Sequence, residues 1–225
     1  MGTSGHSPRP RSSRRLGVLI SGRGSNLQSI IDAIPAGRLH ATIAVVISNR
    51  PEAQGLQRAR HARIEAVSLS PRDYPDRTAY DQALVQTLIS REVSLVCLAG
   101  FMRLVGAPLL NAFPNRILNI HPSLLPAFPG VNAQHQALEH GVRISGATVH
   151  LVTAELDNGP IILQSAVAVA ADDTPESLSA KILTEEHRLY PEAIQIVLDG
   201  NWKVEGRKFT RLPAESSTAP LRAGS

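Results

Sequence analysis

The chain alternates short, nearly unbroken apolar runs with longer segments whose apolar residues recur every three to four positions. LGVLIS (residues 16–21) reads as a strand, and after a glycine turn LQSIIDAI (27–34) reads as a helix. ATIAVVIS (41–48) is the next strand, 51–61 a helix opened by proline, 64–69 a strand and 76–89 a helix. VSLVCLAG (93–100) and RILNI (116–120) are two further strands. Strands apolar on both faces and separated by helices predict a parallel sheet covered on both sides. The rhythm then changes. ATVHLVT (147–153) and IILQSAVAV (161–169) are joined only by AELDNGP, too short for a helical crossover, so they are expected to pair antiparallel. A last helix is expected over 175–198 with Pro191 as a kink or break, followed by a short edge strand at 202–205. The pattern predicts one α/β domain over 15–206 with a mixed, mostly parallel sheet.

Composition narrows the class. The 225 residues suffice for a sizeable core, and no apolar run approaches the roughly 18 residues of a membrane span. Cys97, the only cysteine, lies inside an apolar run, which excludes a disulfide framework or a cysteine zinc site and suggests a cytoplasmic setting. The net charge of +4 hints at nucleic acid, but it is concentrated at the ends. Arg9, Arg11, Arg14 and Arg15 open the chain, and Arg207, Lys208, Arg211 and Arg222 outweigh Glu215 at its close. Residues 16–206 keep fifteen basic and eighteen acidic side chains, a net of −3, so neither a nucleic-acid nor a membrane partner is expected. Residues 1–14 and 207–225, rich in Ser, Pro, Gly and Arg, are expected to be disordered tails; the former lacks the apolar core of a signal peptide.

Three segments carry candidate chemistry. SGRGSN (21–26) stands between a strand and a helix, where glycines allow a tight turn and free helix N–H groups attract an anion; Ser25 to Gln28 reads as a capping box. The loop lacks the Lys of a phosphate-binding P-loop and the third Gly of a dinucleotide fingerprint, so it suits a single phosphate monoester, although a plain strand-to-helix turn would look the same. LNIHPSLLP (118–126) sets Asn119 and His121 on one face at the C-terminal end of an apolar strand, the edge where such sheets bind ligands; a core histidine and a turn-forming asparagine are the plainer readings. ELDNGP (155–160) puts Asp157 in a short loop, and a carboxylate near an imidazole favours its protonated form. An amide, an imidazolium and a carboxylate suit acyl transfer to an amine, with Asn119 and His121 on the developing oxyanion and Asp157 tuning His121. No G-x-S-x-G elbow occurs, and Cys97 is expected to be buried, so direct attack by the amine is expected rather than an acyl-enzyme. The histidines show no metal-ligand spacing, and no metal is expected.

SGRGSNLQSIIDAI, LAGFMRLV, ILNIHPSLLPAFPG and GATVHLVTAELDNGPIILQ together resemble, in order, the signature segments of the folate-dependent formyltransferase family over about residues 15–206. The resemblance implies a Rossmann-like domain that transfers a formyl group from 10-formyltetrahydrofolate to the amine of 5′-phosphoribosylglycinamide in purine biosynthesis. It implies His121 as general acid, Asn119 as partner of the formyl oxygen and Asp157 as the carboxylate that raises the histidine pKa. Gly24, Ser25 and Asn26 then hold the ribonucleotide phosphate and Glu186 the glycinamide, although Glu186 also reads as a charge on a solvated helix face. Arg77, Met102, Arg103, Leu104 and Val105 line the folate, Arg77 reading otherwise as an ordinary helix-face arginine. Asn132 stands where the family often has histidine, and Gln134, His135 and Gln136 replace a further basic residue. A monomer or homodimer is expected. Sister reactions share the trio: formylation of initiator methionyl-tRNA or hydrolysis of formyl-folate. Both are expected to need an extra domain, and with fourteen residues before Arg15 and twenty after Glu205 neither is expected here. A non-catalytic nucleotide-binding module would keep residues 24–26 but have no use for the trio.

Overall fold

The computed structural model describes residues 14–213. Nine strands and six helices run in the order β1 (Arg15–Ile20), α1 (Ser25–Ala33), β2 (Thr42–Ser48), α2 (Gln54–His61), β3 (Ala66–Ser68), α3 (Arg77–Ile89), β4 (Leu95–Leu98), α4 (Ala107–Ala112), β5 (Ile117–His121), α5 (Ala133–Glu139), β6 (Ile144–Leu151), β7 (Ile161–Ala168), α6 (Pro175–Asp199), β8 (Trp202–Glu205) and β9 (Lys208–Arg211). The first seven strands form one sheet in the order β3-β2-β1-β4-β5-β6-β7. β1 to β5 are parallel, and β6 and β7 are antiparallel, as the short connection between them requires. From β1 the chain works outward to β3 and then returns to place β4 on the other side of β1. Loops leaving β1 and β4 therefore diverge, and the crevice between them is the ligand position of such sheets.

Two cores explain the unbroken apolar strands. Leu16, Val18, Ile20, Leu95, Cys97, Leu118 and Ile120 pack with Leu27, Ile30, Leu56, Leu178 and Ile194 on the side of α1, α2 and α6. The intervening Leu19, Val45, Ile47, Val96, Leu98 and Ile117 pack with Tyr80, Leu84, Leu88 and Leu109 on the side of α3 and α4. Side chains two apart share a face, so a strand buried on both faces needs apolar residues at every position. Among the described residues no helix is long and apolar enough to cross a membrane.

The structure departs from the sequence pattern in several places. α6 is one continuous 25-residue helix through Pro191. Proline within a helix costs about 3 kcal/mol, and here it is buried along with its helix neighbours Leu189, Tyr190, Ala193 and Ile194, while the Tyr190 hydroxyl donates to the Leu98 and Leu118 carbonyls. α4 and α5, of six and seven residues, are too short to show a clear period. The expected edge strand 202–205 instead pairs with β9 in a separate hairpin, so residues 207–211, expected to begin a disordered tail, are ordered. Trp202 stacks on Phe209 there, with centroids 5.2 Å apart. The expected disorder of 1–13 and 214–225 lies outside the described residues.

Candidate active site

On β5, the face whose parity carries Ile117 continues into Asn119 and His121. The antiparallel register sets His150 opposite Asn119 and Thr148 opposite His121. Thr148 and His150 are buried, as is His121. One strand pair thus delivers two imidazoles and an amide to one patch, and the loop after β6 brings Asp157 onto it.

Asp157 joins the groups. Its Oδ2 accepts from the Gly130 N–H at 2.8 Å and lies 3.4 Å from His121 Nδ1. Its Oδ1 lies 3.4 Å from Asn119 Nδ2 and 3.7 Å from His150 Nε2. Burial alone would push this carboxyl up. The hydrogen bonds from His150 and Gly130, with the charges of His121 and His150, outweigh it and leave the pKa below its ordinary 3.8. His121 Nε2 is 2.8 Å from the Phe128 carbonyl. An acceptor on each ring nitrogen is satisfied in full only by the imidazolium, which donates from both. His150 lies beside the same groups: its Nδ1 is 2.9 Å from the Leu151 carbonyl, and its Nε2 is 3.2 Å from Asn119 Nδ2 and 3.7 Å from Asp157 Oδ1. His150 was not singled out by sequence reasoning, although a polar ring inside the apolar run ATVHLVT was a usable signal.

The loop after β1 shapes a second part of the site. The capping box expected at Ser25 is absent: α1 is capped by Gly24 at φ 71°, ψ 34°, with no side-chain hydrogen bond. A Cβ on Gly24 would come 2.7 Å from the Gly55 Cα, so glycine is required by conformation and by close approach alike. The first N–H groups of α1 keep no side-chain cap, which leaves them available to an anion. Asn26 is buried and donates through Nδ2 to Glu186 Oε2 at 2.7 Å, while its Oδ1 has no partner among the described residues. Glu186 is therefore no solvated helix-face charge. It is 6% exposed, and burial raises its pKa against the opposing Asn26 hydrogen bond. A cavity of about 630 Å³ opens beside this loop, lined by Arg23, Asn132, His135 and Ser179 among others. Asn132 holds a left-handed conformation at the start of α5.

The loop after β4 completes the crevice. The Met102 N–H donates to Ser21 Oγ at 2.8 Å, which ties it to the end of β1. Met102 and Leu104 are 68% and 57% exposed, large apolar side chains without cover. Arg103 stacks its guanidinium 5.1 Å from the Tyr80 ring centroid, and Val105 packs on the α3 side. Arg77 Nη2 donates to the Leu104 carbonyl at 2.9 Å. Cys97 is fully buried, and burial pushes its thiol well above the usual range, so it offers no nucleophile.

Sheet order, crevice and polar cluster define a member of an established class. Residues 14–194 match the formyl transferase family, and the chain belongs to it. Its relatives include the phosphoribosylglycinamide formyltransferase of Escherichia coli, 44% identical over 187 residues that span 83% of this chain and 88% of that protein. The trifunctional purine biosynthetic protein adenosine-3 of Drosophila melanogaster is 46% identical over 189 residues, 83% of this chain but 14% of the larger protein. Among solved structures, glycinamide ribonucleotide transformylase 1 from Symbiobacterium toebii superposes with a TM-score of 0.89 at 56% identity, covering 94% of this chain and all of that one.

Proposed function

We propose that the protein transfers the formyl group of 10-formyltetrahydrofolate to the amine of 5′-phosphoribosylglycinamide, forming the formylglycinamide ribonucleotide and tetrahydrofolate. The similarity to enzymes of that activity supports the reading. The observation that carries it is the Asp157 carboxylate, which faces Asn119, His121 and His150 at the C-terminal end of β5.

The amine nitrogen attacks the formyl carbon, and the carbonyl electrons move onto oxygen. The His121 cation and the Asn119 amide are the groups available to that oxyanion. Both are engaged before the reactants arrive, His121 with the Phe128 carbonyl and Asn119 with His150 and Asp157, so the formyl oxygen must compete for donors that are already oriented. Fixed, buried dipoles need little reorganisation at the moment of reaction, which is where such stabilisation gains its strength. Collapse of the adduct breaks the bond to the folate nitrogen, and the proton lost by the attacking amine is delivered to that nitrogen. In this reading the uncapped start of α1 at Gly24, Ser25 and Asn26 holds the phosphate, and Glu186 faces the glycinamide. Arg77 and residues 102–105 receive the folate. Holding two reactants in line is worth roughly 7 to 11 kcal/mol in favourable cases.

The test is the ultraviolet absorbance change on loss of the formyl group from a 10-formyl folate, with and without the ribonucleotide. Reaction only when the ribonucleotide is present supports transfer. Deformylation without it would replace this reading with hydrolysis, and no reaction in either case would leave a binding module.

A further inference from the structure

Beneath residues 101–106 lies an acid with no part in the chemistry above. Asp81 projects from α3 one turn after Arg77 and is 3% exposed. Its Oδ2 has no hydrogen-bond partner among the described residues. The Arg77 Nε stands 3.9 Å from that oxygen, and a Cβ added at Gly106 would overlap it. Burial pushes the carboxyl upward, opposed in turn by Arg77, the Gly106 N–H and Arg103. Every group that counters the cost of burying this acid therefore belongs to the loop after β4 or to the arginine that grips it. The core on this side needs no acid, since Tyr80, Leu84 and Leu88 already fill the inner face of α3. A buried carboxylate is expensive unless it organises something. The loop needs organising, because Met102 and Leu104 point to solvent and add no packing of their own.

We infer that Asp81 is a positioning residue for the formyl donor: its carboxylate fixes Gly106 and the Arg77 guanidinium from below, and so holds residues 101–106 in the shape that receives the folate. The inference rests on assigning this loop to the folate. It acts through the loop and touches neither the ribonucleotide nor the reacting carbon, so its loss weakens donor binding and leaves the chemical step alone.

The test measures the dissociation constant of a non-transferable 5,8-dideazafolate by calorimetry, alongside steady-state formyl transfer, for the parent, Asp81→Ala, Asp81→Asn and Gly106→Ala. Asp81→Ala should weaken folate binding and raise the donor KM by about tenfold, since the loop must then be ordered on binding. Its kcat at saturating donor and its ribonucleotide KM should stay within about twofold of the parent. Asp81→Asn, which keeps shape and loses charge, should fall between. Gly106→Ala disturbs the same contact from the loop side with Asp81 intact and should give the same split, which keeps the test open if Asp81→Ala does not fold. Trypsin should cut after Arg103 faster in both alanine variants. Unchanged folate affinity and unchanged cleavage in folded Asp81 and Gly106 variants overturn the inference, as does a loss of kcat with both KM values intact. A parent that binds the dideazafolate but transfers nothing sinks the proposed reaction and leaves this inference to the binding data; a parent that binds no folate overturns both.

Discussion

Replacing Asp157 with asparagine keeps the side-chain shape and removes the charge on which the site converges. The donors around it are fixed, with the Gly130 N–H and His121 on Oδ2 and Asn119 and His150 on Oδ1. An amide cannot accept from both sides. Its oxygen is required on the Gly130 and His121 side, where no acceptor is available to an NH₂. The NH₂ then faces His150 Nε2 and the Asn119 NH₂, both donors toward the oxygen it replaces, so Asn119 loses the acceptor that orients it. The variant weakens the bond to His121 from charge-assisted to neutral, about 1 kcal/mol, and loses the bond from Asn119 to a carboxylate oxygen, about 1.5–3 kcal/mol. At 1.36 kcal/mol per tenfold in rate, kcat should fall by about 10² to 10³-fold. The ribonucleotide KM should change little, because the Gly24 to Asn26 loop leaves a different strand. The absorbance assay at saturating ribonucleotide reads this directly, with a thermal melt to establish that the variant is folded. A folded Asp157→Asn enzyme within about fivefold of the parent kcat would refute the reasoning that the carboxylate organises the trio.

Other expectations rest on separate observations. Gly24→Ala introduces a Cβ 2.7 Å from the Gly55 Cα at a left-handed position, so the ribonucleotide KM should rise at least tenfold and stability should fall by about 1–3 kcal/mol, read by steady-state kinetics and urea melts. His150→Ala removes the ring opposite Asn119, and kcat should drop about tenfold for the loss of one hydrogen bond, whereas His150→Asn, whose amide can still hydrogen-bond there, should recover part of it. Glu186 has a folded pKa above its ordinary 4.5, so its stabilising contribution is full below 4.5 and is lost as pH rises through the folded value. Glu186→Gln should therefore melt higher than the parent near pH 8, relative to its behaviour at pH 4, while binding the ribonucleotide more weakly; equal pH dependence in the two proteins would contradict the burial argument. Asp157 has the opposite sign. Its lowered pKa contributes stability above 3.8 that is lost as pH falls toward the folded value, and acid titration of Asp157→Asn followed by circular dichroism should lack that component.

Much of the architecture was legible in the amino-acid order because its causes are local. Apolar residues at every position of 16–20 and 95–98 require cover on both faces of the sheet, and a seven-residue connection between two apolar runs leaves only an antiparallel pairing. Asn119 and His121 share a face because strand side chains alternate, and the proline that follows marks the strand end. The same local logic overreached at Ser25, where a capping box was expected and Gly24 caps α1 instead. It also overreached at Pro191, whose helical cost is met by burial inside α6 rather than by a break. The ordered hairpin of β8 and β9 escaped because four-residue strands among charged neighbours carry almost no periodic signal.

Tertiary structure alone decided which polar groups meet. Asn26 and Glu186 are 160 residues apart and share one buried hydrogen bond, set by how α1 and α6 pack on the same face of the sheet. His150 reaches Asn119 through the register of β5 on β6, and a shift of one residue would have turned the imidazole to the opposite face. Asp81 lies under Gly106 because α3 and the β4 loop are stacked there, a relation absent from any window of sequence. Residue spacing along one element determines which side chains share a face. Only the packing of distant elements determines which faces oppose each other, and at this site that second step sets the charge, burial and hydrogen-bond partners of the groups proposed to carry the chemistry.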